Sequence, residues 1–308
     1  MIEEKVIIGQ DTNHPLNGIL TLPDNIDNPV AAVVLVHGSG PTNMDEKIGK
    51  LTPFKDLAHG LASRGIAVIR YDKRSYVYKK QFMKRDITVK EETIEDAILA
   101  TEILRKDSRI DSDKIFIIGH SMGGMLAPRI DFECGNYKGL ILLAGSPRKL
   151  EEILIDQNKD VLNSANRLLG WIIKRQIKKL SKKFDIMYNL TDEEAKKTSL
   201  MFGTPIKLYY FKEMGEHPST DYLKNLTKPM LIMQGDKDFQ VSVEKDFNLY
   251  KEILKDKDNV TFKLYENLNH AFVPAIYTDI MKAKKEYSVK QSICDYVIED
   301  IANWVLAN

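Results

Sequence analysis

Short apolar runs rich in β-branched residues alternate with segments that repeat apolar positions every three or four residues. The apolar runs predict eight strands, at 5–9, 17–22, 31–36, 67–71, 114–118, 140–144, 230–234 and 260–265. The periodic segments predict helices at 53–63, 91–105, 122–131, 243–254 and 288–307. This alternation is typical of an α/β fold, a mostly parallel eight-stranded sheet with helices on both faces and an antiparallel hairpin at one edge.

The alternation stops at residues 145–226, a stretch too long for a plain loop. Helix-forming segments at 150–155, 168–180 and 191–201 predict a helical lid insertion over the carboxyl ends of the strands, where open α/β sheets bind ligands. The chain then divides into a first core part, 1–144, the lid, 145–226, and a second core part, 227–308. A basic tract at 174–183 offers a site for an anionic group or a solvated helix face, and we favour the solvated face.

The composition excludes several classes of partner. The 308 residues include 45 Lys plus Arg against 44 Asp plus Glu, so no overall field favours nucleic acid or an anionic membrane. Cys134 and Cys294 lack the spacing of a metal or redox site. No secretory signal and no membrane-length apolar run is evident, which predicts a soluble cytoplasmic protein, although the mature form of an exported protein would look the same. The expected partner is a small-molecule substrate. A homo-oligomer is left open.

Residues 119–123 read Gly-His-Ser-Met-Gly, directly after a predicted strand and at the start of a predicted helix. A strand, a sharp turn and a helix in that order are what a nucleophile elbow requires, with Ser121 at its tip. The alternative interpretation of this segment is a glycine-rich loop without catalytic function that joins a strand to a helix. Because Gly119 and Gly123 remove side chains where the turn crowds the backbone, and both flanks fit, we predict that Ser121 is a nucleophile.

A serine nucleophile needs a histidine base and a carboxylate that orients it, and both follow the serine in chains with this elbow. The histidines after Ser121 are His217, within the insertion, and His270, just after the last predicted strand, and we predict His270. Asp236 and Asp238 both follow a predicted strand. We favour Asp238 because Asp236 is placed to brace the turn. The two aspartates could also suggest a metal site, but a hard cation needs more oxygen ligands than the sequence offers nearby. No cofactor or metal is predicted.

The negative charge that builds on a substrate carbonyl oxygen must meet backbone N–H groups. One candidate is the N–H of Met122, at the start of the helix. The other is the N–H of Ser39, with Gly40 next, in the small-residue segment His-Gly-Ser-Gly-Pro at 37–41. A phosphate-binding loop is disfavoured because neither a GxGxxG pattern nor a Walker lysine is present.

Two further sets of side chains lie near the predicted site. We predict that a charged set forms an ion-pair network that braces the oxyanion loop rather than acting in catalysis. It comprises Asp45, Arg70, Asp72, Lys73 and Arg74. His120 is expected to make local contacts. Apolar lid side chains are candidates for substrate binding or for the lid's own core: Trp171, Met201, Phe202, Tyr209, Tyr210 and Phe211.

The segments HGSGP, GHSMGG, QGDKD and NHAF occur in the order and spacing of the α/β-hydrolase superfamily, which the chain resembles over nearly its whole length. Around 37–74 it is similar to bacterial carboxylesterases and acyl hydrolases related to the dienelactone-hydrolase and serine-aminopeptidase-like groups. The resemblance implies a triad of Ser121, Asp238 and His270, with serine where the dienelactone type has cysteine.

These observations predict a serine carboxylesterase that cleaves small to medium acyl or aryl esters through an acyl-enzyme. A peptidase or an acyl-thioesterase would use the same residues, because leaving-group preference resides in the shape of the pocket. A ligand-binding protein that keeps the fold without turnover is the alternative from another class.

Overall fold

The computed structural model describes residues 1–82, 86–200 and 206–308, and eight strands of these ranges form one sheet in the order β1-β2-β4-β3-β5-β6-β7-β8. The strands are β1 (Ile2–Ile8), β2 (Leu16–Leu22), β3 (Val30–Val36), β4 (Ala67–Tyr71), β5 (Ile110–His120), β6 (Leu140–Leu143), β7 (Met230–Gly235) and β8 (Val260–Tyr265). β2 pairs antiparallel with β1 and β4, and the remaining neighbours are parallel. The predicted fold class is confirmed.

The helices connect successive strands and cover both faces of the sheet. In the first part of the chain they are α1 (Pro53–Ala62), α2 (Arg74–Val77), α3 (Lys79–Phe82), α4 (Glu95–Lys106) and α5 (Met122–Ile130). Between β6 and β7 lie α6 (Leu150–Ser164), α7 (Arg167–Met187), α8 (Asp192–Lys197), α9 (Leu208–Glu216) and α10 (Ser219–Asn225). The last part holds α11 (Asn248–Ile253), α12 (Ala283–Glu286) and α13 (Asp295–Ala307). π-Helical turns at Lys90–Ile94 and Val243–Phe247 lead into α4 and α11.

The central strands are apolar without interruption because both of their faces are buried. Along β3, Val34 and Val36 pack with side chains of α4 and α5, whereas Val33 and Leu35 pack on the opposite face with α1 and α13. Alternate residues of a strand point to opposite faces, so a strand covered on both sides needs apolar residues at every position. The two layers of core position the carboxyl ends of the strands, where the candidate site lies.

The C-terminal helix is shorter than predicted. α13 begins at Asp295 instead of residue 288, and the preceding residues carry no helix that continues into it. The Ile293 N–H donates to Asp56 of α1 at 3.1 Å, and the Ile293 side chain already packs in the core. The Ile293 N–H therefore has a hydrogen-bond partner, and its side chain is buried, although the residue is not in a helix.

The segment between β6 and β7 builds a small core of its own in addition to its contacts with the sheet domain. Side chains of α7 pack against Leu208 and Phe211 of α9. Thr191 and Glu194 form a capping box at the start of α8. Most of the basic tract of α7 is exposed, as predicted for a solvated face.

The division into core and lid at 145 and 226 stays a prediction. No helix of the described ranges is long and apolar enough to cross a membrane.

Leu142 lies in β6 with no exposed surface, so Leu142→Ala should lower the free energy of unfolding by about 2–5 kcal/mol. The matched control is Leu264→Ala in the edge strand β8, where the side chain is 45% exposed, and it should change stability by less than about 1 kcal/mol. Urea unfolding followed by circular dichroism measures both. Equal losses in the two variants would contradict burial of the sheet on both faces.

Candidate active site

Ser121 occupies a strained turn between β5 and α5. Its backbone angles are φ 55° and ψ −117°, a conformation that a residue with a side chain rarely adopts. The Ser121 N–H donates to the Leu143 carbonyl oxygen of β6 at 2.8 Å and holds the turn against the sheet. Strain of this kind persists only where surrounding structure enforces it, and it is common at functional sites.

The glycines around Ser121 are required by close backbone approach. A Cβ at Gly119 would lie 2.2 Å from the Gly123 carbonyl oxygen, and a Cβ at Gly123 would lie 2.1 Å from the Val36 carbonyl oxygen of β3. A Cβ at Gly38 would lie 3.1 Å from Ser121 Cβ. Both glycines predicted from the elbow pattern are therefore sterically necessary, and α5 begins directly against β3.

His270 and Asp238 are in direct contact although 32 residues separate them. His270 Nδ1 donates to Asp238 Oδ2 at 2.7 Å, and both side chains are almost fully buried. The carboxylate also accepts the side-chain amide of Gln234 at 2.7 Å and the N–H groups of Gln240 and Val241 at 2.7 and 3.0 Å. These donors hold Asp238 in one orientation. Because Asp238 binds Nδ1 of His270, the other ring nitrogen, Nε2, points away from the carboxylate.

The rival residues occupy other positions. Asp236 accepts the Asn267 N–H at 2.6 Å and pairs with Lys237, so it braces the loop that leads to His270. His217 is exposed at the end of α9, where Nδ1 lies 3.1 Å from the Tyr222 hydroxyl. The structure therefore brings Asp238 and His270 together and leaves both alternatives outside the pair.

Ser121 and His270 line one cavity of about 930 Å³ between the sheet and the segment that follows β6. Within the described residues, no hydrogen bond between the Ser121 hydroxyl and His270 is formed. Such contacts are often long in a free enzyme and shorten with substrate bound. The serine–histidine proton transfer is therefore a proposal about the substrate complex.

The segment after β3 also lines this cavity, through Ser39 and Gly40, and Met122 lines it from α5. The loop is held at Gly38 from two sides. The Gly38 N–H donates to Glu46 Oε1 at 2.8 Å, and its carbonyl oxygen accepts Lys73 Nζ at 2.8 Å. These two contacts fix the peptide between Gly38 and Ser39 at the cavity, next to the turn that carries Ser121. That the Ser39 N–H donates to an oxyanion stays a proposal.

The predicted charged cluster forms buried ion pairs. Arg70 pairs with Asp45 at 3.0 Å, and Arg74 pairs with Asp96. The Asp72 carboxylate accepts the Met44 N–H at 2.8 Å. These contacts hold the strand ends around the loop without facing the reacting atoms.

Lys73 connects this cluster to residues that the sequence patterns did not indicate. Its Nζ lies 3.3 Å from Glu92, which accepts the Tyr210 hydroxyl at 2.7 Å. Burial alone would raise the pKa of Glu92, but Lys73 and Tyr210 outweigh it and lower that pKa. Glu46, which holds Gly38, was also missed. Both glutamates lie outside any motif, so only the tertiary contacts reveal them.

Two of the lid residues proposed for substrate binding line the cavity, namely Tyr210 and Phe211 of α9. Trp171 and Tyr209 do not, and the prediction is corrected for both. Trp171 is 61% exposed on the outer side of α7, and the Tyr209 ring lies under Lys196. Met201 and Phe202 lie outside the described residues. The cavity wall that was missed comes from α5 and α6: Met125, Leu150, Ile153 and Leu154.

A protein metal site is usually built from several His, Cys, Asp or Glu side chains that lie close together. Across residues 1–82, 86–200 and 206–308, no group of three or more His, Cys, Asp or Glu side chains could hold a metal ion.

A parallel sheet with a serine elbow after β5 and an aspartate–histidine pair after β7 and β8 defines a hydrolase of the α/β-hydrolase fold. Residues 27–274 match the family described as serine aminopeptidase, S33. The chain belongs to this family.

Esterase EstD of Thermotoga maritima is 36% identical over 304 residues, which are 99% of this chain and 68% of that protein. Together with the family, this relative supports the predicted class, a serine ester hydrolase.

Solved structures confirm the fold. Est1E from Butyrivibrio proteoclasticus is 16% identical with a TM-score of 0.56, over 97% of this chain and 99% of that chain. An esterase from Pyrococcus furiosus is 17% identical with a TM-score of 0.57, over 99% and 91%. A dienelactone hydrolase from Anabaena variabilis is 12% identical with a TM-score of 0.56, over 99% and 97%.

Gly123→Ala should destabilise the protein by about 3 kcal/mol or more, because the added methyl group meets the backbone of β3 and cannot be relieved by a rotamer change. Gly170→Ala is the control. A Cβ there would come no closer than 3.4 Å to Leu162, and alanine should stabilise α7 by up to about 1 kcal/mol. Thermal unfolding of both variants measures the difference. If Gly123→Ala unfolded like the wild type, the close packing of α5 on β3 would be refuted.

Proposed function

We propose that the protein is a serine carboxylesterase in which Ser121, His270 and Asp238 form the triad. The observation that carries the proposal is the 2.7 Å contact between His270 Nδ1 and Asp238 Oδ2, with Ser121 on the same cavity at the tip of a strained elbow. An imidazole oriented by a carboxylate, on the same cavity as a serine hydroxyl, is the arrangement that acyl transfer requires.

In the first half-reaction the Ser121 oxygen bonds to the ester carbonyl carbon, and its proton passes to His270 Nε2. Asp238 stabilises the imidazolium that forms without taking the proton. The N–H groups of Met122 and Ser39 stabilise the negative carbonyl oxygen. His270 then gives the proton to the departing alcohol, and the acyl group stays on the serine.

In the second half-reaction water takes the place of the alcohol. His270 removes one proton from water as its oxygen bonds to the acyl carbon, and returns that proton to the Ser121 oxygen as the carboxylic acid departs. Atoms and charge balance over the cycle without a cofactor.

The cavity supports a small to medium acyl or aryl ester as substrate. One wall is apolar and is made of Met125, Leu150, Ile153, Leu154 and Phe211. A volume of about 930 Å³ lies at the upper end of ordinary ligand pockets, with room for both halves of such an ester. We propose that residues 145–226 form the lid that supplies most of this wall, and that the enzyme acts on a small molecule in the cytoplasm.

The charges in the cavity favour an ester over a peptide substrate. A peptidase that recognises a free amino terminus needs an available carboxylate. Of the described residues that line the cavity, the carboxylates are Glu46 and Glu92, and these pair with His120 and Lys73 respectively. An ester, which carries no charge at the reacting group, needs no such partner.

Ser121→Ala should lower hydrolysis of nitrophenyl butyrate by at least about ten-thousand-fold, since the variant lacks the atom that forms the acyl-enzyme. Steady-state kinetics and labelling with a fluorophosphonate probe measure the loss. Turnover that survives in the variant, or a probe that labels another residue, would refute the proposed nucleophile.

Asp238→Asn should lower kcat by about ten-thousand-fold, because an amide cannot hold His270 in the required tautomer. Asp236→Asn is the matched control, two residues away on the same loop, and should keep kcat within about threefold because it only braces the turn. If both variants lost activity equally, the assignment of Asp238 would fail.

Leu154→Trp should shift the preferred acyl chain toward shorter esters, because the larger ring fills part of the apolar wall. Relative kcat/KM on nitrophenyl acetate, butyrate and octanoate should fall about tenfold for octanoate while acetate changes little. Leu168→Trp, on the exposed side of α7, is the control and should leave the profile unchanged. An unaltered profile in Leu154→Trp would place the acyl group elsewhere.

A further inference from the structure

His120 is a buried histidine that the reaction described above does not use. Its Nδ1 lies 2.9 Å from Glu46 Oε2, and its Nε2 lies 2.9 Å from the carbonyl oxygen of His270. Its ring lies against the His270 ring, with centroids 4.8 Å apart and planes inclined by 48°. Only 4% of His120 and 3% of Glu46 is exposed, so water does not screen these contacts.

The partners of the two ring nitrogens determine the charge of His120. A backbone carbonyl oxygen can only accept, so Nε2 carries a proton. Glu46 accepts the Gly38 N–H through its other oxygen, Oε1. Nδ1 of His120 and Oε2 of Glu46 lie within ion-pair distance, and beside an ionised Glu46 the His120 ring is an imidazolium.

The other groups near the pair agree with this assignment. Burial alone would lower the pKa of His120, but Glu46 and, more weakly, Asp238 outweigh burial and raise it. Burial alone would raise the pKa of Glu46, but His120 outweighs it and lowers that pKa. His37, on the far side of Glu46, is neutral because burial lowers its pKa to about 4, and Lys73 adds to that effect.

The pair joins three segments that meet at the candidate site. His120 is the last residue of β5, next to Ser121. Its partner Glu46 binds Gly38 of the oxyanion loop. Its other contact, the carbonyl oxygen of His270, belongs to the loop that carries the proposed base. Each of the three segments carries one reacting group of the proposed mechanism. Loss of the connection would let the groups shift relative to one another, and small misplacements are costly in catalysis.

We propose that His120 and Glu46 form a positioning pair that sets the base and the oxyanion loop relative to Ser121. The inference rests on the proposed function, since it assigns a role in that reaction. His120 is a positioning residue, because it acts through His270 and Gly38 rather than on the substrate.

The experiment compares His120→Phe and His120→Gln with the wild type. His120→Phe keeps an aromatic ring but neither donates nor carries charge, so kcat should fall about 10–100-fold with KM within about threefold. His120→Gln can still donate to the His270 carbonyl oxygen, so kcat should recover to within about threefold of the wild type.

His217→Gln is the matched control, because this exposed histidine lies outside the site and should change neither kcat nor KM. Wild-type circular dichroism and fluorophosphonate labelling of Ser121 establish that each variant is folded. An unchanged kcat in His120→Phe would overturn the inference while leaving the proposed function intact. A fall in kcat in His120→Phe without recovery in His120→Gln would also overturn it. Failure of the proposed function is recognised separately, by turnover that does not need Ser121.

Discussion

The close approach of three backbone segments at the start of α5 is the constraint on which the candidate site depends. Gly119 and Gly123 are in contact at the elbow, and Gly123 lies against Val36 at the end of β3. No side chain fits there, and the elbow therefore forces Ser121 to φ 55° and holds its side chain at the edge of the cavity. The strain is sustained by the sheet, because β5 is paired on both sides and its end cannot relax.

Buried charge organises the rest of the site. Asp238 meets His270 with three further donors on its carboxylate, and Lys73 ties the loop after β3 to Glu92. Unpaired buried charges are costly, and each of these has a partner, so the network holds a single geometry. The residues that face solvent in the helices after β6 contribute none of these contacts. These buried contacts therefore lie around the sheet, and the helices after β6 chiefly shape the apolar wall of the cavity.

Helical periodicity indicated which segments bury an apolar face, but not what that face would meet. Trp171 and Tyr210 are both aromatic residues on helices between β6 and β7. Trp171 faces outward on α7, whereas Tyr210 reaches Glu92 in the sheet domain. Similarly, the apolar residues near 293 fit a helical repeat, yet Ile293 packs in an extended segment that Asp56 holds. Rotation and packing of elements are decided by contacts between segments distant in sequence.

The amino-acid sequence by itself determined the alternating sheet architecture, the elbow at Ser121 and the order in which Asp238 and His270 follow it. These features are local, because burial on both faces demands unbroken apolar runs and a sharp turn demands glycine. Only the tertiary structure decided that His120 pairs with Glu46 and which side chains of α6 and α9 line the cavity. Partner choice among charged groups depends on distances set by the whole fold, and no local pattern encodes those distances.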